Sequence, residues 1–467
     1  MLSLSQLLMR NEQRRILLRI AIFLAMIIPC NACQKTSFTE VSTSGYKTNA
    51  LTVSQKPNIV LILADDIGYE VPTYTGGQSY RTPKIDQFAS GNMQFTQCQA
   101  APNCSPTRVM LMTGKYNFRN YSKWGVLDTS QYTIANLLHD AGYATCVAGK
   151  WQLDGGDASI RKFGFDKYQV FLPYTPETIA GENAQNWYRY KDPHIYEKGA
   201  FLPDSLTNGK YADDMFVDYI SKFIDSNVTK PFFVYYPMSL CHYPFCPPPN
   251  NPDFATWTPE SHITDTSYFP YMVNYMDRKI NEIIKKINKK GLTNNTVILF
   301  VGDNGTPSQI TSKFRGQVVP GGKGTTTQYG THVPFIVSWP GNISAGAVNN
   351  NIINFTDFLP LLADIAGIPV PTNHGIIDGI SFYTSFFNPH DTIREWGFCH
   401  WQPYTTSPLR RWSQTVEYKL YDSINQSKFY NLITDTLETH AITNKAITPD
   451  ERLIKQQLQS VLDQMNN

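Results

Sequence analysis

Apolar residues run without a break from Ile59 to Ala64 in "NIVLILADD" and stop at two acids, Asp65 and Asp66. A run this short, with no polar alternation, predicts a strand covered on both faces, as in a parallel sheet. The pattern returns far downstream in "TVILFVGDNG", where Val297 to Val301 is followed by Asp303 and Asn304. "ATCVAGK" and "PFFVYYPM" read as two further strands. Helical periodicity lies between them: one helix opens at Thr82 with Pro83 in its first turn and closes near Gly91, and another runs from Thr133 to Gly142. The alternation predicts an α/β fold, a large mostly parallel sheet flanked by helices. Ligands of such sheets bind beyond the carboxyl ends of the strands, so the two acid-bearing segments are predicted to meet at one edge.

Residues 154–210 break the pattern. Trp187, Tyr188, Tyr190 and Tyr196 stand there among Gly, Asn and Pro, which predicts a long irregular insertion of the kind that carries function or forms a lid. After about residue 385, "RRWSQTVEYKLYD" and "SKFYNLI" alternate like antiparallel strands. The chain closes on an amphipathic helix with Thr448 as cap, Pro449 at its first position and Glu451 completing a capping box. A smaller C-terminal α+β subdomain, an antiparallel sheet with a terminal helix, is expected over 386–467, following a catalytic domain at 57–385.

The N-terminus adds an address. Arg10, Arg14, Arg15 and Arg19 precede the apolar run "IAIFLAMII" and then "PCNACQK", the layout of a secretory signal over residues 1–33. "NAC" resembles a bacterial lipoprotein box, so Cys33 has two readings, lipidation or plain signal cleavage. Residues 34–56, polar and rich in Ser and Thr, read as a flexible linker. Export to the periplasm, or to the outer membrane of a Gram-negative bacterium as a lipoprotein, is the expected location, with membrane contact only through that anchor. The balance of 40 basic and 38 acidic residues gives no basic footprint, so no nucleic-acid partner is expected. The 13% aromatic content suits either stacked, hydroxylated ligands or aromatic cores.

Taken singly, the polar features are ordinary: "DD" is a turn, "DNG" a hairpin signal, Lys150 and Lys323 surface charges. Taken together, Asp65, Asp66, Asp303 and Asn304 are hard oxygen ligands at strand ends, a set that suits Ca²⁺, one per site, better than Mg²⁺ and excludes a zinc- or copper-type site. With Cys30 and Cys33 assigned to the signal segment, the remaining cysteines form no CxxC pair or His/Cys cluster of the zinc type. Cys104, in "NCSPTRVMLMTG", therefore needs an explanation in its own neighbours.

Those neighbours carry a resemblance. "NIVLILADDIGY", "TPKIDQFASGNMQF", "CSPTRVMLMTG", "GYATCVAGKW", "HYPFCPP", "GDNG", "GGKG", "GTHVPFIVSWPG" and "TDFLPLLADIAGIPVP" together resemble the sulfatase family, a branch of the alkaline phosphatase superfamily, from about Asn58 to the C-terminus. CxPTR followed by TG is the most specific of these and resembles the Cys-type motif of bacterial members. The resemblance implies that Cys104 is oxidised after synthesis to Cα-formylglycine by a maturation enzyme that reads the Pro and Arg, and that residue 104 joins the metal set. It also implies that Arg108 holds the nucleophile, that Lys150 and Lys323 contact sulfate, and that His242 meets the leaving group, where it serves as general acid.

The resemblance has one gap. Many members read GKWH where this chain reads Gly149-Lys150-Trp151-Gln152, and glutamine cannot accept the proton that the family histidine is thought to take. His332 in "GTHVP", water, or an acid of the metal set are the alternatives, and His332 has a packing role as its equal reading. The implied activity is hydrolysis of a sulfated carbohydrate or aryl sulfate. Two rivals stand beside it: a phosphoester or phosphonate hydrolase of the same superfamily, and a catalytically impaired protein that binds sulfated glycans. The aromatic insertion around Trp187, and His400 with Trp401 in "CHWQPY", are candidate sugar-stacking groups or loop core.

Overall fold

The computed structural model describes residues 56–174, 182–403 and 406–465; the expected signal segment and nearly all of the linker lie outside the described residues. Among the described residues, sixteen strands form three sheets. In the large one are β1 (Asn58–Ala64), β2 (Met93–Gln99), β3 (Ala144–Asp154), β4 (Lys167–Tyr174), β5 (Ile195–Glu197), β6 (Ala200–Phe201), β7 (Phe232–Pro237) and β8 (Thr296–Gly302). A hairpin of β9 (Thr311–Phe314) and β10 (Gln317–Pro320) stands apart, and β11 (His332–Ser338) and β12 (Val348–Asn354) return to the large sheet.

The order across that ten-stranded sheet is β12-β2-β11-β8-β1-β7-β3-β4-β5-β6. Its centre is parallel: β1 pairs in register with β8 on one side and β7 on the other, and β3 continues the parallel run to β4. Every residue of β1, β7 and β8 is buried, as expected of strands with helices on both faces. Ala64 lies opposite Gly302, so the two acid pairs leave the sheet side by side.

The predicted helices form at Pro83–Ser90 and Ile134–Asp140, the second with a capping box between Thr133 and Asn136. The terminal helix is Pro449–Gln464, and Thr448 and Glu451 make the reciprocal cap that the sequence predicts. The described part of the insertion at 154–210 holds more regular structure than expected. It holds a helix at Gly156–Lys162 and then β4, a full partner of β3, because "KYQVFL" presents a compact apolar run to the growing sheet edge.

Near the C-terminus, β13 (Gly397–Trp401), β14 (Arg410–Gln414), β15 (Tyr418–Tyr421) and β16 (Phe429–Asn431) form a four-stranded antiparallel sheet. This sheet braces the segment that carries Lys323. Fully buried Lys419 donates to the Thr326 carbonyl and to Glu438. Tyr421 donates to the same carbonyl at 3.0 Å, and Glu438 accepts the Gln328 amide at 2.8 Å. Replacing Glu438 with Ala should leave the Lys419 ammonium buried without its anion and cost about 3–5 kcal/mol. Chemical unfolding of the variant checks this, and a loss below about 1 kcal/mol would mean that the pair is open to water.

Candidate active site

Four elements converge at the carboxyl edge of the central strands. Asp65 and Asp66 follow β1, Asp303 and Asn304 follow β8, Lys150 sits on β3, and Cys104 opens the helix Cys104–Thr113 that follows β2. That helix is buried along its whole length, which fits its apolar composition and explains how Arg108, one turn after Cys104, can lie inside the protein. Thr107 fastens its first turn by donating to the Ala101 and Asn103 carbonyls and accepting from the Ala101 amide. His242 follows β7, and Lys323 follows the β9–β10 hairpin.

Three acids and three bases pair one to one. Lys150 Nζ lies 2.7 Å from Asp65, Lys323 Nζ 2.7 Å from Asp66, and Arg108 Nη2 2.8 Å from Asp303. The Asp66 amide donates to Asp303 and the Asn304 amide group to Asp66, so the ends of β1 and β8 are tied together. Burial alone would push the Asp65 carboxyl up, but Lys150, His242, Arg108 and Arg189 hold it well below the usual carboxylate range. Asp303 goes the other way: burial and the neighbouring Asp65 charge raise it to about 7, against the pull of Arg108 and Lys150. Burial would lower Lys323, yet Asp66 raises it and keeps it charged.

Two backbone features hold the site open to these contacts. Asp66 and Gln152 both have left-handed backbone, at φ 60° and 58°. A glutamine rarely adopts this conformation, and strain of this kind, about 1–3 kcal/mol, persists where the surroundings enforce it. Gly149, at φ 135°, is the second feature: a Cβ there would sit 2.0 Å from the Pro237 carbonyl oxygen. Only glycine lets β3 pass β7 closely enough to deliver Lys150.

The sequence-predicted residues Asp65, Asp66, Cys104, Arg108, Lys150, Gln152, His242, Asp303, Asn304 and Lys323 all fall in this pocket. Cys104 Sγ lies 3.4 Å from Gln152 Oε1, and burial raises its thiol pKa despite Lys150 and Lys323. It is therefore no ready thiolate. His242 Nε2 is 3.9 Å from Asp66, while its Nδ1 faces the Tyr243 carbonyl and so carries the proton. His332 stands elsewhere: its ring stacks on Tyr69 at 3.9 Å and its Nε2 faces the Thr96 carbonyl at 2.7 Å.

The aromatic candidates divide. Trp401 is buried with Cys399, Trp412, Tyr421 and Tyr430, so it is core of the C-terminal sheet. The Tyr190 hydroxyl donates to the Ser239 and His242 carbonyls and braces the His242 loop. Trp187 meets Tyr243 edge to face and stacks on His262 at 4.9 Å, and Tyr243 is exposed; these rings lie beside His242. One site residue carried no sequence signal: Arg189, fully buried, reaches 3.6 Å from Asp65 out of the insertion.

The donor set fits a hard divalent cation. Asp65, Cys104 and Asp303 present atoms within 4.8 Å of one another, as do Asp65, Asp66 and His242. The buried Asn304 Oδ1 has no hydrogen-bond partner, and burial with the neighbouring Asp65 charge raises Asp303, so the set has an oxygen to spare and a carboxyl whose ionised form a metal's charge would favour. Saturating Ca²⁺ should therefore raise the melting temperature, with about 2.7 kcal/mol of stabilisation at a hundredfold excess over Kd. Asp303→Asn should shrink the shift, and a shift equal in the two proteins would remove Asp303 from the ligand set.

Comparisons with known proteins agree on one family. The family model "Sulfatase" matches residues 57–368, and "N-sulphoglucosamine sulphohydrolase, C-terminal" matches 325–467. The chain is 28% identical over 355 residues to an arylsulfatase of Hemicentrotus pulcherrimus, covering 70% of this chain and 61% of the relative. It is 28% identical over 389 residues to an N-acetylgalactosamine-6-O-sulfatase of Bacteroides thetaiotaomicron, covering 68% of this chain and 74% of that one. A crystal structure of Ps i-CgsB superposes with a TM-score of 0.71 at 25% identity, over 88% of this chain and 93% of that one.

Proposed function

We propose that this chain, which belongs to the sulfatase family, hydrolyses the sulfate ester of a sulfated carbohydrate or aryl sulfate by cleaving the sulfur–oxygen bond. The observation that carries the reading is the placing of Cys104 between an all-oxygen acid set and two lysines, inside a pocket that keeps its thiol neutral. Asp65, Asp66, Asp303 and Asn304 would hold Ca²⁺, which when bound supplies the positive charge that makes a hydroxyl at residue 104 nucleophilic near neutral pH. Conversion of Cys104 to Cα-formylglycine by a maturation enzyme would supply that hydroxyl as one half of an aldehyde hydrate.

The chain's own residues do the rest. Arg108 spans Asp303 and the Lys150 carbonyl, which fixes its fork beside residue 104. Lys150 and Lys323, now salt-bridged to Asp65 and Asp66, are the ammonium groups that would turn to the sulfate oxygens as charge builds there, leaving the two carboxylates to the metal. His242 is the group beside the leaving oxygen. Burial, with Lys323, Arg189 and Lys150 around it, pushes its pKa well down. Its charged form is thus a strong acid that is scarce in the free protein, and the negative substrate brings the proton in by offsetting those cations. Gln152 accepts a hydrogen bond at residue 104 but takes no proton. With His332 held against Tyr69 and Thr96, the release step falls to His242, an acid of the metal set, or water.

The N-terminal arginines and "NACQK" support export, with the reaction outside the cytoplasm and Cys33 as the point of attachment if it is lipidated. Protein made in a host that matures sulfatases should show, by intact-peptide mass, an aldehyde or its hydrate at residue 104, and Cys104→Ala should lose at least about a thousandfold in kcat on an aryl sulfate. Wild-type rates in Cys104→Ala would sink the mechanism. Gln152→His should raise turnover if release limits the cycle. An unchanged or lower kcat would show that the pocket already has its base.

A further inference from the structure

The site holds one cation more than its acids match. Asp65, Asp66 and Asp303 each have a close basic partner in Lys150, Lys323 and Arg108. Arg189 is left over: its Nη1 stands 3.6 Å from an Asp65 oxygen that Lys150 already holds at 2.7 Å. The side chain is fully buried, and its Nε and Nη1 have no hydrogen-bond partner. Nη2 donates to Asn186, and the guanidinium lies over the Phe171 ring at 5.0 Å. A buried guanidinium with donors unused is costly unless an anion completes it.

Counting charges indicates which anion. Three acids against Arg108, Lys150 and Lys323 leave the protein groups neutral. A divalent cation is then balanced by one sulfate monoester and one oxyanion at residue 104. Arg189 adds a positive charge that this inventory does not use, and it enters from the side of Asp65 and Tyr190, whose hydroxyl holds the His242 loop. That is the leaving-group side under the function proposed above, on which this step rests.

We propose that Arg189 binds a second anionic group of the substrate, next to the scissile sulfate, so that the pocket selects saccharides bearing two neighbouring negative groups, a second sulfate or a carboxylate. The unpartnered Nε and Nη1 are the donors that would take this group. The planar guanidinium fork suits either oxyanion.

The test uses the calcium-loaded full chain carrying Cys104→Ala, which binds without turnover, and calorimetry with glucosamine 6-sulfate and glucosamine 2-N,6-O-disulfate. The disulfated sugar should bind about tenfold or more tighter, and adding Arg189→Met should bring the ratio close to one. No preference in the parent, or a preference that survives Arg189→Met, overturns the inference. So does tighter binding of glucosamine 6-phosphate than of the disulfate, which would assign the extra charge to a phosphate dianion.

Melting without metal or sugar gives a second readout. An unmatched cation predicts that Arg189→Met melts at the same or a higher temperature, and a fall of several degrees would make Arg189 a structural partner of Asp65 instead. Aryl-sulfate turnover by the matured wild type tests the reaction separately. Turnover without the disulfate preference removes this inference alone, and the preference without turnover removes the reaction alone.

Discussion

Three carboxylates buried at the ends of two adjacent parallel strands are the constraint from which the rest of the site follows. Each is taken out of water, and each is close enough to another to oppose its ionisation, so none is tolerable without positive charge within contact distance. The protein answers with Lys150, Lys323 and Arg108, one per acid. Burial and the neighbouring Asp65 charge still raise the Asp303 carboxyl to about 7 despite Arg108. Such a pocket would suit a divalent cation, and under the proposed reaction Lys150 and Lys323, salt-bridged to the same acids, are the groups that would meet an anionic substrate. Electrostatic readiness for metal and for sulfate is therefore one property.

Much of the surrounding fold serves to hold those charges in place. The parallel pairing of β1 with β8 sets the acids side by side, and the close passage of β3 at Gly149 sets Lys150 against Asp65. The C-terminal sheet performs the same service for Lys323 at longer range, because Lys419, Tyr421 and Glu438 fasten the segment around Thr326 and Gln328. A region that contributes none of the site residues identified here thus shapes the site through a buried ion pair, a device whose value is geometric as much as energetic.

How much of this was readable from the chain depended on whether the signal was local. Asp65, Asp66, Asp303 and Asn304 were legible because each pair ends an apolar run, and period and position along a strand are written in neighbouring residues. The cap at Thr448 was legible for the same reason. Strand β4 was not, since its apolar run lies among Gly, Pro and aromatic residues that read as loop, and only the exposed edge of β3 gives it a place. Trp401 in "CHWQPY" had two equal readings, sugar platform or core, and the structure buries it in the core, because burial of an aromatic is decided by what packs over it. Arg189 had no signal at all: one arginine in a tyrosine-rich stretch becomes a site residue only when the insertion folds back over Phe171 and Asp65.

Gln152 and Arg189 bear on one question from two directions. The chain has given up a proton acceptor beside residue 104 and holds an additional fixed cation near the leaving group. A fixed cation cannot move protons, but it lowers the proton affinity of whatever stands near it, and His242 is already held down by burial and by Lys323, Arg189 and Lys150. An imidazole kept neutral in the free protein has its Nε2 lone pair available, since Nδ1 is committed to the Tyr243 carbonyl. Under the proposed reaction the same ring would gain a proton with negative substrate bound and give it to the leaving oxygen, and with the leaving group gone it would return to the state of a base. The buried, cationic surroundings that make His242 a scarce acid would thereby let it serve both halves of the proposed cycle, which is one way for the site to work with glutamine at position 152.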